Sequence, residues 1–249
     1  MNVNIFVATN PFYEAYVHSD FLGKLIFIGL IFLSIMTWII LLHKIWHTYQ
    51  ARKQAARFYD IFQLQKQNPL NLDCEAATRV YYSNPYMDLY SLLKKQTLEV
   101  LNKNKFFIPK NKETEQDAVF LSLTDIDFLQ GSLATQVAHQ IKNLEKNLFI
   151  LSTVVSLAPF LGLLGTVWGI LTSFSDFQVQ AAGNTPQMVL GGLSLALATT
   201  VLGLIDAIPA LIGYNYLKHA IRDFEIEMES FASEILGCVE MQYRKVDFS

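Results

Sequence analysis

A single aspartate, Asp206, stands inside a long apolar run, VLGGLSLALATTVLGLIDAIPALIGYNYL. An ionised carboxylate is costly in hydrocarbon, so such a residue usually faces a bundle interior or an aqueous path and often carries protons or ions. The other interpretation is a structural carboxylate that is hydrogen-bonded to a hydroxyl group or a water molecule. Residue type and position leave both interpretations open.

Small side chains recur on one face of this run and of the preceding run, APFLGLLGTVWGILTSF. Small residues let helices approach closely in a bilayer, where hydrophobicity does not drive helices together. The two stripes therefore predict tight packing, either between subunits or between two helices of one chain. Pro159 and Pro209 predict a kink in each run. The small-residue stripes are Ala158, Gly162, Gly165, Gly169 and Thr172 in the earlier run, and Gly192, Ala196, Thr199, Gly203, Asp206, Ala210 and Gly213 in the later run.

These runs belong to a chain that is too apolar for one water-soluble core. Of its 249 residues, 52% are hydrophobic and only 16% are charged. Three long apolar stretches, uncharged except for Asp206 in the third, are each long enough to cross about 30 Å of hydrocarbon. The predicted fold class is therefore an all-α membrane protein with three transmembrane helices.

Basic residues predict the orientation of the three spans. Fourteen of the 19 lysines and arginines fall between residues 43 and 146, and four follow Leu217. Because basic residues favour the cytoplasmic side, the N-terminus is predicted outside and the C-terminus inside. The predicted organisation is an outer amphipathic segment at 1–20, a first transmembrane helix at 21–45, a cytoplasmic helical region at 46–146, a second transmembrane helix at 147–175, an outer hairpin at 176–187, a third transmembrane helix at 188–217 and a cytoplasmic C-terminal helix at 218–249.

Apolar residues at helical spacing predict that the second and third spans extend into long cytoplasmic helices. The spacing of apolar residues after Leu217 also indicates a coiled-coil-like seam, which could pack within the chain or against a neighbouring subunit. The seam residues are Ile126, Leu129, Leu133, Val137, Ile141, Leu144 and Leu148 before the second span, and Leu217, Ile221, Phe224, Met228, Phe231, Ile235 and Cys238 after the third.

Several classes of protein do not fit this sequence. A net charge of −3 gives no general attraction to nucleic acid. Cys74 and Cys238 indicate neither a disulfide framework nor a metal site, so no cofactor is expected. One intramembrane aspartate without a Ser/His pair argues against an intramembrane protease, and we expect no enzyme activity. A non-conducting membrane scaffold remains the alternative to an ion-conducting protein.

The two glycine-rich runs resemble the second and third spans of the TolQ/ExbB family, which is more distantly related to the MotA flagellar stator proteins. The resemblance is carried by GLLGTVWGI and by ATTVLGLIDAIPALIGYN, within residues 150 to 217. TWIILLHK, at the end of the first span, is also similar to the family. The three-span layout covers the whole chain.

The resemblance implies a subunit of a proton channel in the inner membrane of a bacterium, with the outer side facing the periplasm. It implies a ring of five copies around a dimer of a one-span TolR/ExbD-like partner. Proton flow would then drive envelope integrity or outer-membrane import, with a TolA/TonB-like energy transducer as a further partner. The sequence does not choose between these two processes.

The resemblance also implies roles for individual residues. The polar pore threonines of the family fall on Thr166 and Thr200, with Thr199 adjacent to the latter. Many family members carry a glutamate where this chain has Leu195. Asp206, eleven residues and about three turns further on, could take the place of that acid. The partner could instead supply the only essential carboxylate.

Overall fold

A computed structural model describes residues 11–17, 19–66, 68–72, 84–106, 120–180 and 187–244. Within these ranges the chain is helical and contains no strand; Leu121 and Arg244 form an isolated β-bridge. The predicted all-α class is confirmed at this level. The described residues form six helices: α1 Pro11–Val17, α2 Phe21–Leu64, α3 Pro85–Phe106, α4 Leu123–Glu145, α5 Leu148–Gln180 and α6 Gln187–Tyr243. Half of the predicted 176–187 hairpin, residues 181–186, lies outside the described residues, as does Cys74.

Three of these helices are long and apolar enough to cross a membrane. Their spanning segments lie in Phe21–Leu64, Leu148–Ser175 and Gly191–Tyr243. The prediction of three transmembrane helices is therefore supported, and with it a membrane location. Pro159 and Pro209 lie inside α5 and α6, which continue through them.

The chain divides into two compact units. The first, called the span unit here, comprises Met1–Lys44 and Asn147–Tyr216. The second, called the rod unit, comprises Ile45–Lys146 and Leu217–Ser249. α2 and α6 each contribute one part to both units.

Small and medium-sized apolar side chains form the core of the span unit. One buried cluster joins α2, α5 and α6 and consists of Ile26, Leu30, Val154, Ala158, Ala207 and Ala210. Large hydrophobic side chains lie on its outside, among them Phe32, Phe160 and Ile212. An exposed apolar surface of this extent requires lipid or another protein chain around it.

Aromatic side chains form much of the core of the rod unit. Tyr86 of α3 stacks on Phe231 of α6, with ring centroids 4.2 Å apart and planes within 3°. Phe58 and Phe62 of α2 meet the same Phe231 edge-on. Such pairs contribute about 0.5–1.5 kcal/mol each beyond the area they bury. Burial raises the pKa of the Tyr86 hydroxyl to about 12, with a smaller effect from Glu227.

The seam residues of α6 find partners in the same chain. Phe224, Met228 and Phe231 are fully or almost fully buried in the rod unit. Phe224 stacks on Tyr86, and Phe231 packs against α2. Of the two interpretations of the seam, packing within the chain accounts for these residues.

One prediction about the second span is wrong. α4 ends at Glu145 and α5 begins at Leu148, so the helix before the second span is not continuous with it. Asn147 lies between them with φ 67°, in the left-handed region that asparagine tolerates better than most residues. The spacing from Leu144 to Leu148 stays in phase across the turn, so the periodicity does not reveal the interruption. By contrast, α2 continues past residue 45 to Leu64, and α6 continues from the third span to Tyr243.

Local sequence explains where α4 begins. The hydroxyl of Ser122 accepts a hydrogen bond from the backbone N–H of Asp125, and the Asp125 carboxylate accepts one from the N–H of Ser122. This reciprocal capping box satisfies two backbone donors that the first turn would otherwise leave free. Burial opposes ionisation of Asp125, but the hydrogen bonds from Ser122 and Asn104 outweigh it and lower the pKa of that carboxyl.

Candidate functional site

The glycines of α5 face small residues of α6 inside the span unit. A Cβ atom on Gly169 would lie 2.5 Å from the carbonyl oxygen of Gly192 and 2.9 Å from the Cβ of Ala196. The corresponding atom on Gly203 would lie 2.6 Å from the carbonyl oxygen of Ala158. Larger side chains at these positions would force the backbones apart. Of the two interpretations of the stripes, packing within one chain accounts for this contact.

The middle of the same interface is filled by a threonine. Gly165 faces the side chain of Thr199, while Gly162 lies against the backbone of Thr199 and Thr200. Thr199 is fully buried. The two stripes therefore meet over Ala158, Gly162, Gly165 and Gly169 on α5 and Gly192, Ala196, Thr199 and Gly203 on α6.

The later part of the α6 stripe packs against a different helix. The space beside Gly213 is occupied by the Leu41 side chain of α2. Ala210 lies in the cluster that contains Ile26 and Leu30, also from α2. The small residues of α6 thus contact two helices, α5 along the earlier part of the stripe and α2 along the later part.

The hydroxyl groups of the three candidate pore threonines bond to backbone carbonyls. Thr166 donates to the carbonyl oxygen of Leu163 in its own helix at 2.6 Å. Thr199 lies 3.0 Å from the carbonyl oxygens of both Leu195 and Ala196. Thr200 crosses to α5 and donates to the carbonyl oxygen of Gly162 at 3.2 Å. Their hydroxyl oxygens keep lone pairs that can still accept a hydrogen bond.

Asp206 lies in the later part of the α6 stripe, beyond the threonines whose hydroxyls bond across or along the α5 interface. Its side chain is 3% exposed, and neither carboxyl oxygen has a hydrogen-bond partner among the described residues. Thr37 of α2 is its polar neighbour. The hydroxyl of Thr37 lies 2.8 Å from the carbonyl oxygen of Leu33, and it can donate its one hydrogen either to that carbonyl or to the Asp206 carboxylate.

This geometry leaves both interpretations of Asp206 open. A buried carboxylate costs several kcal/mol unless it is hydrogen-bonded or paired, so the group depends on the Thr37 hydroxyl, a proton, a cation or a donor from outside these helices. A protonated carboxyl could donate a hydrogen bond to Thr37, and an ionised one could accept a hydrogen bond from it.

Leu195 stands at the position where the family resemblance implies a glutamate that this chain lacks. It is buried in an apolar cluster with Ala15 of α1, Phe27 of α2 and Ala198 of α6. Its side chain also fills the space beside Gly23. The Asp20 carboxylate also lies beside Gly23, so the acid at the level of Leu195 comes from the residues before α2 and not from α6.

A second carboxylate was missed by sequence reasoning. Asp20 precedes α2, and its carboxylate accepts a hydrogen bond from the backbone N–H of Gly23 at 3.0 Å. Its other oxygen accepts the indole N–H of Trp168 in α5 at 2.8 Å. An aspartate directly before a helical run predicts an N-cap, which could have identified the first contact. The contact with Trp168 required the tertiary structure.

Comparison with known proteins gives the same family as the residues. Residues 104–230, just over half of the chain, match the MotA/TolQ/ExbB proton channel family. The chain is 29% identical over 221 residues to a biopolymer transport protein ExbB of Pseudomonas putida, covering 89% of this chain and 61% of the relative. It is 45% identical over 93 residues to the ExbB of Aquifex aeolicus, covering 37% of this chain and 62% of the relative.

A Tol-Pal system protein TolQ of Haemophilus influenzae is similar over nearly its full length. It is 26% identical over 234 residues, which cover 93% of this chain and 94% of the relative. By contrast, the chain spans less than two thirds of the two ExbB proteins above. The family match and the three apolar helices confirm the resemblance carried by GLLGTVWGI and ATTVLGLIDAIPA, and the chain belongs to the MotA/TolQ/ExbB proton channel family.

Proposed function

We propose that this chain is the ring-forming subunit of an inner-membrane proton channel that converts the proton motive force into work on the cell envelope. Its direct partner is a dimer of a one-span TolR/ExbD-like protein. The driven process is envelope integrity or outer-membrane import, through a TolA/TonB-like transducer. Membership of the proton channel family supports the use of the proton motive force by this chain.

The observation that carries this proposal is the buried carboxyl of Asp206. It is buried in an apolar helix, forms no ion pair among the described residues, and has the Thr37 hydroxyl as its polar neighbour. Each charge that crosses 100 mV releases about 2.3 kcal/mol. A group that gains and loses one proton at membrane depth can connect that energy to a change in helix packing.

Thr166, Thr199 and Thr200 are proposed as the other polar groups of the proton route. The hydroxyl oxygens of Thr166 and Thr200 can accept a hydrogen bond from a water or from a protonated carboxyl of the partner, which an apolar side chain cannot do. Thr199, which is fully buried, would act by holding α5 and α6 together beside them. Because Leu195 supplies no acid, we infer that the carboxyl opposite these threonines comes from the partner. Asp206 then serves as a second proton-holding group beside α2.

The large exposed hydrophobic side chains of the span unit support assembly into a ring. Phe160 and Ile212 lie on the outside of a single chain. Lipid covers part of this surface, and neighbouring copies, five in the proposed ring, cover the rest. The distribution of basic residues favours a periplasmic N-terminus and a cytoplasmic C-terminus.

The proposal is tested by co-purifying the chain with a one-span partner and counting copies by native mass spectrometry. The same complex, placed in vesicles with an imposed proton gradient, should take up protons only when the partner is present. Isolated single chains, or a complex without partner-dependent uptake, would contradict it. A stable ring without uptake would favour the non-conducting scaffold instead.

A further inference from the structure

The rod unit contains an open groove between α4 and α6. Its volume is about 470 Å³. Small side chains line much of it, from Ala134 and Ala138 on α4 to Ala232 and Gly237 on α6. An added Cβ at Gly237 would meet nothing within 4 Å, so this glycine is not required by packing within the chain. The groove has room for the side chains of another helix.

The rim of this groove is acidic. Glu225 and Glu229 lie one helical turn apart on α6 and both line the groove. Neither forms an ion pair within the described parts of the chain, whereas the third glutamate, Glu240, is paired with Arg244. Two carboxylates spaced by four residues, about 6 Å along the helix axis, attract two cations with the same spacing.

A matching surface lies on the part of α2 that belongs to the rod unit. Lys53 and Arg57 are exposed and also stand one turn apart. Apolar side chains flank them on the same face, with Tyr49 63% exposed and Leu64 87% exposed. We call this surface, formed by Tyr49, Lys53, Arg57, Ile61 and Leu64, the α2 ridge.

The contacts inside the rod unit show which levels of α2 and α6 correspond. The two helices run parallel, since Arg52 pairs with Glu227 and, further along both, Gln63 bonds Glu234 at 2.8 Å. Gln63 and Glu234 are 171 positions apart, and Tyr59 meets Phe231 between these two contacts. The contacting pairs are 168 to 175 positions apart, from Lys66 with Glu234 to Arg52 with Glu227, so residues separated by about 172 positions lie at the same height to within about one helical turn.

Lys53 with Glu225, and Arg57 with Glu229, are each 172 positions apart. They cannot pair within the chain as described, because α6 turns Glu227, Phe231 and Glu234 towards α2 and turns Glu225 and Glu229 towards α4. A rotation axis parallel to the helices relates the copies of a ring without shifting them along that axis, so each residue has the same height in every copy. In a ring with such an axis, the basic pair of one copy would meet the acidic pair of the next.

We propose that the α2 ridge of one copy occupies the α4/α6 groove of the neighbouring copy, with Lys53 on Glu225 and Arg57 on Glu229. The contact joins two different surfaces, so it repeats from copy to copy and closes only as a ring. It rests on the ring assembly proposed above and adds the surface that sets the rotation between neighbours. Ile61 then lies opposite Ser233.

Disulfide trapping tests this contact directly. In a Cys74→Ser/Cys238→Ser background, Ile61→Cys combined with Ser233→Cys should give a ladder of covalent oligomers on mild oxidation of the membrane-embedded protein. Each single variant should remain monomeric on a denaturing gel, and a mixture of the two should stop at dimers. The two Cβ atoms must come within about 4.5 Å for the bond to form. A disulfide within one chain, or covalent capture of the co-expressed partner by the Ser233→Cys variant, would overturn the proposal.

Charge reversal tests the pairing without new cysteines. Glu225→Lys/Glu229→Lys should remove most of the oligomer seen by native mass spectrometry, and adding Lys53→Glu/Arg57→Glu should restore it. The control, Glu99→Lys/Asp127→Lys, makes the same change in net charge at exposed positions of α3 and α4 and should leave the oligomer intact. An intact, proton-conducting ring in the uncompensated variant would overturn the groove contact and leave the proposed function standing. A wild-type protein that is only a single chain would overturn both.

Discussion

Asp206 and the three threonines differ in what their polar atoms already do. Thr166, Thr199 and Thr200 give their hydroxyl hydrogens to backbone carbonyls, so their structural needs are met within one chain. Asp206 has no such partner among the described residues. Loss of a threonine hydroxyl should remove a hydrogen-bond acceptor from the proposed proton route. Loss of the Asp206 carboxyl should remove a group that can itself bind and release a proton.

Asp206→Asn removes the exchangeable proton and keeps the shape of the side chain. We expect partner-dependent proton uptake in vesicles to fall by about tenfold or more, with the ring still visible by native mass spectrometry. Asp206→Glu, which keeps the carboxyl, should retain more uptake than Asp206→Asn. Normal uptake by a well-assembled Asp206→Asn protein would remove this residue from the mechanism.

Thr166→Val/Thr200→Val preserves side-chain volume and deletes two hydroxyls. We expect impaired proton uptake and a small loss of stability, since one interhelical hydrogen bond in a membrane is worth about 0.6 kcal/mol. The matched control is Thr153→Val, because Thr153 also lies in α5 and bonds only a carbonyl of its own helix, that of Phe149 at 2.9 Å. If the double variant and the control conduct equally well, the hydroxyls of Thr166 and Thr200 are structural only.

At the scale of the helices, glycine serves close backbone approach at some positions and not at others. Gly169 lies against the backbone of α6, whereas Gly29 in α2 has nothing within 4 Å of an added Cβ. Both glycines lie inside apolar helices, so their neighbours in the sequence do not show which of them is needed for close packing. The packing of α5 against α6 shows that it is Gly169.

Gly169→Ala and Gly29→Ala should therefore have opposite effects. An added methyl at Gly169 would lie 2.5 Å from the Gly192 carbonyl oxygen, so α5 and α6 must separate and the folded fraction in thermal unfolding should fall. We expect a cost of about 1–3 kcal/mol, as for overpacking elsewhere. Gly29→Ala should be neutral or gain about 0.5–1 kcal/mol from helix propensity alone. Equal behaviour of the two variants would show that the α5/α6 contact does not set stability.

At the scale of the whole molecule, the two units depend on different interactions. The span unit is held by apolar and small side chains, while the rod unit adds charged pairs around an aromatic core, including Lys66 with Glu234 at 2.6 Å. Burial opposes ionisation of Glu234, but hydrogen bonds from Lys66, Gln63 and Tyr59 outweigh it and lower the pKa of that carboxyl. Acid should therefore weaken the rod unit through this group.

The sign of that effect follows from proton linkage. Because the pKa of Glu234 is lower in the folded state than its ordinary value of 4.5, its stabilisation is present above about pH 4.5 and is lost as the pH falls through the folded value. Unfolding of the purified protein, followed between about pH 3 and 7, should show this loss. Glu234→Gln should flatten the pH dependence, whereas replacement of the exposed Glu99 by glutamine should not. An unchanged profile in Glu234→Gln would contradict the assignment.

The sequence was sufficient for the spans, the family and the buried faces of the helices. Hydrophobic length and helical spacing are local properties, so the stretches around Ile26, Gly165 and Gly203 could be identified as membrane helices from composition alone. The break at Asn147 could not, because one left-handed residue costs little and leaves the apolar period in phase. Extension of α2 to Leu64 was not predicted, although Asn68 and Pro69 shortly after it mark the end of a helix.

The tertiary structure decided which surfaces meet. A stripe of small residues predicts close contact with another helix but does not show which helix that is. The packing of α2, α5 and α6 decides it. This packing places Gly169 against Gly192, Gly213 against Leu41 and Asp206 beside Thr37. Likewise, the equal spacing of Lys53 with Arg57 and of Glu225 with Glu229 is visible in the sequence. Whether the basic pair and the acidic pair lie at matching heights depends on the register of α2 against α6. That register is set by contacts between side chains far apart in the chain.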